Sequence, residues 1–249
     1  MNALKNKEKT ITVAVAGNPN SGKSTLINAI AGSRLHVGNW PGVTVEKKSA
    51  SLVYEDRMIQ LVDLPGTYSL SPYSQEEIIA RDYLVREKPD VIVNVVDATN
   101  LERNLYLTMQ LIELDIPMII ALNIYDEAEK KGYAIDAAAM ETVLGVRVIP
   151  TVSTKGLGLD NIMKAVADIG EDPSTHRPKR LNYGADIESA ASTIEAHIEK
   201  HLPDLSGAYS ARWLSLKLME GDETVYKETG LAKENSFIQE SMRHLIKAH

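Results

Sequence analysis

Gly17-Asn18-Pro19-Asn20-Ser21-Gly22-Lys23-Ser24 decides how the rest of this chain is read. It follows the apolar, β-branched run Ile11 to Ala16 and leads into a helix-forming run, Thr25 to Ala31. Glycines at both ends of the loop let the backbone curl so that successive N–H groups face inward, and a helix directly behind adds the positive end of its dipole. That is a cradle for a polyphosphate. Lys23 would reach the β- and γ-phosphates, and the Ser24 hydroxyl would hold a magnesium ion bridging them. Strand, loop and helix come in the order this mechanism requires, which sets the match apart from a Gly/Ser-rich surface turn. Asn18, Asn20, Ser21, Gly22, Lys23, Ser24 and Thr25 form the candidate phosphate-binding set.

Downstream, two strand patterns, Val45 to Tyr54 and Met58 to Asp63, are joined by a polar turn at Glu55-Asp56 that suits a hairpin. The second ends in Asp63-Leu64-Pro65-Gly66. Beside a phosphate loop, a carboxylate at the end of a neighbouring strand binds magnesium, and a glycine three residues on offers its N–H to the γ-phosphate. Asp63 and Gly66 fill those roles. Further on, Asn123-Ile124-Tyr125-Asp126 closes the strand Pro117 to Asn123. An aspartate there accepts hydrogen bonds from the N1–H and exocyclic amine of guanine, which adenine cannot supply, and Asn123 braces the base and the phosphate loop. An ordinary strand-end turn would explain the tetrapeptide alone; its place downstream of two phosphate motifs argues for guanine. The strand Val146 to Thr151 leads to Ser153-Thr154-Lys155, where the backbone N–H groups of Ser153 and Thr154 would contact the guanine O6.

Around these motifs the pattern is α/β. Helices are expected at Gln75 to Arg86, Leu101 to Leu114 and Leu159 to Ile169, and further strands at Val91 to Val96, Pro117 to Asn123 and Val146 to Thr151. This alternation implies a P-loop fold with a mostly parallel sheet flanked by helices. Ser33 to Thr44 is rich in Gly and Pro, so it reads as an irregular, mobile loop over the nucleotide. Residues 171–184 have a linker composition. Beyond them only helical periodicity follows, at Ile187 to His201, Ala208 to Met219, Asp222 to Glu228 and Lys233 to Ala248. The expected organisation is a P-loop domain over 1–170, a linker over 171–184 and a small all-α domain over 185–249.

With 249 residues and 44% apolar side chains, the chain can bury the core of one large α/β domain and a smaller appendage. A net charge of −7 argues against nucleic acid as the main partner. The absence of cysteine excludes disulfides, zinc-thiolate sites and thiol nucleophiles, and fits a reducing cytosol. The polar, lysine-rich residues 1–9 predict no export signal. The apolar runs Val91 to Val96 and Ile116 to Leu122 are strand-sized, far short of the roughly 18 residues of a membrane helix, so a soluble piece is expected. His197 and His201 lie one helical turn apart, but Ile198 stands where the zinc-protease pattern needs Glu, and a structural or solvated role is expected. Glu195 and Glu199 read as solvent-facing charges.

The phosphate loop, Asn39-Trp40-Pro41-Gly42-Val43-Thr44-Val45-Glu46 and above all Asp63-Leu64-Pro65-Gly66-Thr67-Tyr68-Ser69-Leu70-Ser71-Pro72-Tyr73-Ser74 resemble the cytosolic N-terminal region of ferrous iron transport protein B, the FeoB family. The phosphate loop is common to all GTPases; the two longer strings are more specific. The resemblance covers nearly the whole chain. It implies a bacterial inner-membrane protein whose GTPase domain faces the cytoplasm and controls ferrous iron uptake through a membrane domain C-terminal to His249. It also implies a helical domain like a GDP-dissociation inhibitor, assembly into a dimer or trimer, and small iron-transport accessory proteins as partners. The implied ligands are GTP or GDP, Mg²⁺ and K⁺. By position, Thr44 resembles the switch threonine that binds magnesium. Asn20 resembles the asparagine that helps bind potassium, with backbone carbonyls at Asn39 and Trp40 completing that site. Lys23, Asn20, Gly66 and Thr44 are then the candidate catalytic residues.

Two departures from other GTPases matter. Thr67 stands where Ras-like enzymes carry a water-orienting glutamine, so hydrolysis should be slow and the water placed by something else, such as backbone groups. Ile124 replaces a common lysine, and Ser153-Thr154-Lys155 replaces the usual Ser-Ala-Lys, so guanine selectivity should rest on Asp126 with modest affinity. Alternatives sharing the nucleotide motifs are a soluble GTPase of ribosome or transfer-RNA maturation and a nucleotide-switched binding module. The first usually carries a basic appendage, whereas this chain has 10 Lys/Arg against 13 Asp/Glu from Gly170 onward.

Overall fold

The computed structural model describes residues 10–71, 73–174, 176–231 and 237–241. Near-continuous apolar runs become the inner strands of one sheet: β1 (Ile11–Gly17), β5 (Val91–Asp97) and β6 (Met118–Asn123), with β7 (Arg147–Pro150) beside β6. The hairpin of β3 (Glu46–Tyr54) and β4 (Arg57–Asp63) forms as expected, with Glu55 and Asp56 both at positive φ in its tight turn. The order is β2-β3-β4-β1-β5-β6-β7, where β2 is Leu35–Asn39; pairs from β4 through β7 are parallel, and β2 and β3 run antiparallel.

The chain steps to one side of β1 for β2 to β4 and to the other side for β5 to β7. The carboxyl end of β1 is therefore the topological switch point, where ligands bind in open α/β sheets. Alternation along the strands divides the core between two faces. Val13, Val15, Val93 and Ile119 pack with Leu26 and Ile27 of α1 (Lys23–Ala31) and with Ile162 and Val166 of α6 (Leu159–Glu171). On the other face α3 (Leu101–Ile112) lies over β5, where Asn94 Nδ2 donates to Thr108 Oγ1 over 2.7 Å. Leu26 is fully buried beside the phosphate loop, so truncating it to Ala would cost about 2–5 kcal/mol.

Several expectations are corrected. The stretch read as an irregular loop holds strand β2 at Leu35–Asn39, paired with β3; main-chain bonding orders an exposed edge that has little apolar alternation of its own. The helix expected over Gln75 to Arg86 is α2 (Gln75–Asp82), capped by reciprocal Ser74–Glu77 bonds, followed by a wider π turn over Tyr83–Glu87 that Lys88 ends at φ 45°. Two short helices went unforeseen, α4 (Tyr125–Lys130) and α5 (Ala137–Leu144).

The described chain divides into two compact units between Lys179 and Arg180. In the second, α7 (Ala185–His201) packs on α9 (Ala211–Glu220), burying Ala191, Ile194 and Ile198 together with Trp213, Leu214 and Leu218. The short α8 (Pro203–Ala208), also unforeseen, and α10 (Glu223–Thr229) complete it. Arg212 bridges Glu188 at 2.8 Å and Glu195 at 3.3 Å. The helix expected over 233–248 lies largely outside the described residues, of which 237–241 are helical. No helix of the described residues is long and apolar enough to cross a membrane.

Candidate active site

The phosphate loop sits at the carboxyl end of β1 and bounds a cavity of about 530 Å³ lined by Asn18, Pro19, Asn20, Gly22, Lys23, Ser24, Thr25 and Gly66. Asn20 at φ 66° and Gly22 at φ 85° make the curl. A side chain at Gly22 would run into the Asn123 amide, so glycine is required twice over at this position. No side chain caps α1, which leaves its first-turn N–H groups available to an anion. Asn18 Oδ1 and Ser21 Oγ are buried there without a hydrogen-bond partner.

Lys23 and Asp63 form a buried ion pair between the start of α1 and the end of β4. Burial pushes the Asp63 carboxyl above its ordinary range, and the Lys23 ammonium works against that rise. Gly66 rests on the loop: a Cβ on it would lie 3.3 Å from Pro19 Cα. The next residue is tied in as well, with Thr67 N–H donating to the Gly17 carbonyl over 3.2 Å and its side chain buried.

Of the residues expected to read the base, Asn123 at the end of β6 reaches the same loop and bonds Ser153 beyond β7. Asn123 Nδ2 donates to the Ser21 carbonyl over 3.0 Å, while its Oδ1 accepts from the Ser153 N–H at 3.1 Å and hydroxyl at 2.8 Å. Asp126 lies in the first turn of α4, which is entered from Ile124, held at φ 58° and ψ 30°, a left-handed conformation that is costly for a β-branched residue. Lys155 Nζ donates to Asp126 Oδ2 over 2.6 Å, and that hydrogen bond holds the carboxyl below its ordinary value. Thr154 is exposed in the 3₁₀ turn Ser153–Lys155.

Thr44, Asn39 and Trp40 are not brought to the phosphate cavity. Thr44 and Asn39 are exposed, whereas Trp40 is buried edge-on against Tyr83, with ring centroids 5.5 Å apart and Lys47 Nζ 4.6 Å from its ring. The donors that are present suit hard cations: the Ser24 hydroxyl and the Asp63 carboxylate are oxygens of the kind Mg²⁺ takes, and the Asn20 side chain carries an amide oxygen of the same hard class. Sequence reasoning missed the pairing of Lys155 with Asp126, and it missed Arg103 and Gln110 on α3, which touch the segment after Gly66. No local motif marks such contacts.

Residues 11–166 match the family model of ferrous iron transport protein B, and residues 183–249 match that of the FeoB cytosolic helical domain. The chain belongs to the FeoB family. Among FeoB relatives, the Fe(2+) transport protein A/Fe(2+) transporter FeoB fusion protein of Porphyromonas gingivalis is 47% identical over 92% of this chain and 27% of its own length. The Fe(2+) transporter FeoB of Salmonella typhimurium is 42% identical over 91% of this chain and 29% of its own length. The chain thus spans less than a third of either relative. Of solved FeoB structures, an S. thermophilus NFeoB mutant bound to GDP superposes with a TM-score of 0.85 at 42% identity, covering 96% of this chain and 91% of that one. The cytosolic domain of T. maritima FeoB in its GMPPNP form gives 0.81 at 33% identity, covering 94% and 98%. The FeoB fold is thus that of a P-loop GTPase domain followed by a helical domain.

Proposed function

We propose that this chain is a magnesium-dependent, potassium-stimulated GTPase that forms the cytoplasmic, nucleotide-switched part of a bacterial ferrous iron transporter. The observation that carries the catalytic reading is the meeting of Lys23 and Gly66 at one cavity, with Asp63 bonded to Lys23 behind it and Asn123 tying the phosphate loop to the residues proposed to read the base. The transport reading rests on family membership and on relatives named Fe(2+) transporter FeoB, of which this chain covers less than a third. The remainder of such a protein would hold the membrane domain. Domain limits of 1–170 and 185–249 around a linker are part of the proposal, as is assembly into a dimer or trimer.

In this reading the first-turn N–H groups of α1 take the β-phosphate. Lys23 leaves Asp63 and neutralises the β- and γ-phosphates, and Asp63 is freed by the same exchange. Ser24 and Asp63 would hold magnesium and Asn20 potassium; Thr44 for magnesium, and the carbonyls of Asn39 and Trp40 for potassium, would have to move in from their positions away from the cavity to complete those sites. Bound there, the two cations supply positive charge where negative charge develops between the β- and γ-phosphates. Gly66 N–H fixes the γ-phosphate while water attacks phosphorus in line, the bond to the bridging oxygen breaks, and GDP departs with the electron pair. Asp126 selects guanine, with Ser153 and Thr154 offering N–H groups to its O6.

The test is GTP turnover at fixed ionic strength in potassium chloride and in sodium chloride, on the native chain and on Asn20→Ala. Marked potassium stimulation that disappears in the variant is expected. Equal rates in both salts would remove potassium from the mechanism.

A further inference from the structure

Hydrolysis by this site has to do without a water-orienting side chain after Gly66, because Thr67 is buried and its N–H is spent on Gly17. What this segment offers for placing the attacking water is backbone, and the backbone after Gly66 is held from α3. The Arg103 guanidinium lies 4.1 Å from the centre of the Tyr68 ring. Two turns further along the helix, Gln110 Oε1 accepts the Leu70 N–H over 2.5 Å, and the Leu70 side chain is buried. Arg103 also reaches the phosphate loop itself, since its carbonyl accepts from Asn18 Nδ2 over 3.4 Å. Gly66 is thus caught between Pro19 on one side and a segment pinned at Tyr68 and Leu70 on the other.

We propose that Arg103 and Gln110 are positioning residues for GTP hydrolysis, fixing the backbone from Gly66 to Leu70 in place of the missing glutamine side chain. The inference rests on the GTPase reading above. In-line attack tolerates little displacement, and an error of about 1 Å can cost on the order of a hundredfold in rate. A surface cation–π contact and one hydrogen bond can therefore matter more to turnover than to folding or to ground-state nucleotide binding.

The test compares Arg103→Ala, Gln110→Ala, the double variant, Arg103→Lys and Tyr68→Ala in single-turnover GTP hydrolysis, affinity for a non-hydrolysable GTP analogue, and thermal melting. Arg103→Ala, Gln110→Ala and Tyr68→Ala should each slow hydrolysis about tenfold, with analogue affinity held within about twofold and an unchanged melting temperature. Arg103→Lys, which keeps a cation over the ring, should recover most of the rate. An unchanged rate in the double variant, or rate, affinity and melting temperature falling together, would overturn the proposal while native turnover leaves the GTPase reading intact. A native chain that hydrolyses no GTP would sink both.

Discussion

The side-chain amide of Asn123 donates to the backbone carbonyl of Ser21 over 3.0 Å, bonding the end of β6 to a phosphate loop 102 residues earlier. Its other end accepts twice from Ser153, so one buried residue joins three segments of the site. Asn123→Ala would leave those buried partners unsatisfied, at about 1–3 kcal/mol each. Stability should fall by at least about 3 kcal/mol and GDP affinity by at least about tenfold, measured by thermal unfolding and by nucleotide titration. Changes smaller than about twofold in affinity would mean that the brace is not part of the nucleotide site.

Asp126 gives a pH signature. Guanine recognition needs its carboxylate ionised, and the Lys155 hydrogen bond holds that carboxyl below its ordinary value of 3.8. A depressed value means the carboxylate survives further into acid, so GDP affinity should stay level as pH falls toward about 4. Lys155→Met removes the cause of the depression, and the acid loss of affinity should then begin at higher pH. Asp126→Asn should weaken GDP by at least about a hundredfold at neutral pH, because an amide cannot accept from both guanine donors. Identical acid limbs in the native chain and in Lys155→Met would show that the ion pair has no bearing on the base site.

Much of this was legible locally. The strand, loop and helix at Ile11 to Ala31 could be read because the motif, its flanking periodicity and its chemistry are contiguous, and Asp63 to Gly66 sit at the end of a strand whose alternation is plain. Strand β2 could not be read, since Val37 and its neighbours are exposed and only pairing with β3 makes them a strand. The helix α4 starts from a left-handed Ile124, a conformation no propensity scale favours, and α5 has an apolar composition that leaves its pattern weak. Within the site, the pairs Lys23–Asp63, Asp126–Lys155 and Arg103–Tyr68 are separated by 29 residues or more, so their partners are chosen by the sheet and not by any neighbouring residue.

Trp40 should report on the nucleotide. It is buried against Tyr83, and its main chain bonds Val43 and Val45 on either side of the exposed Thr44, so an approach of Thr44 to the γ-phosphate is expected to disturb the Trp40 seat. Burial pushes the Tyr83 hydroxyl up to about 12, so this ring stays neutral at any working pH. The chain has two tryptophans, and Trp213→Phe isolates Trp40. Adding a non-hydrolysable GTP analogue with magnesium should shift Trp40 emission to the red, GDP should shift it less, and Tyr83→Ala should be shifted without nucleotide. Emission that ignores the analogue would keep Thr44 out of the metal site.

Phosphate release from GTP and from ATP, followed with magnesium on the native chain and on Lys23→Ala, tests the account most directly. The native chain should turn over GTP at least about a hundredfold faster than ATP, and Lys23→Ala should lose nearly all of that activity while remaining folded. Equal turnover of the two nucleotides would contradict guanine selection by Asp126, and a fully active Lys23→Ala would place the chemistry somewhere other than this loop.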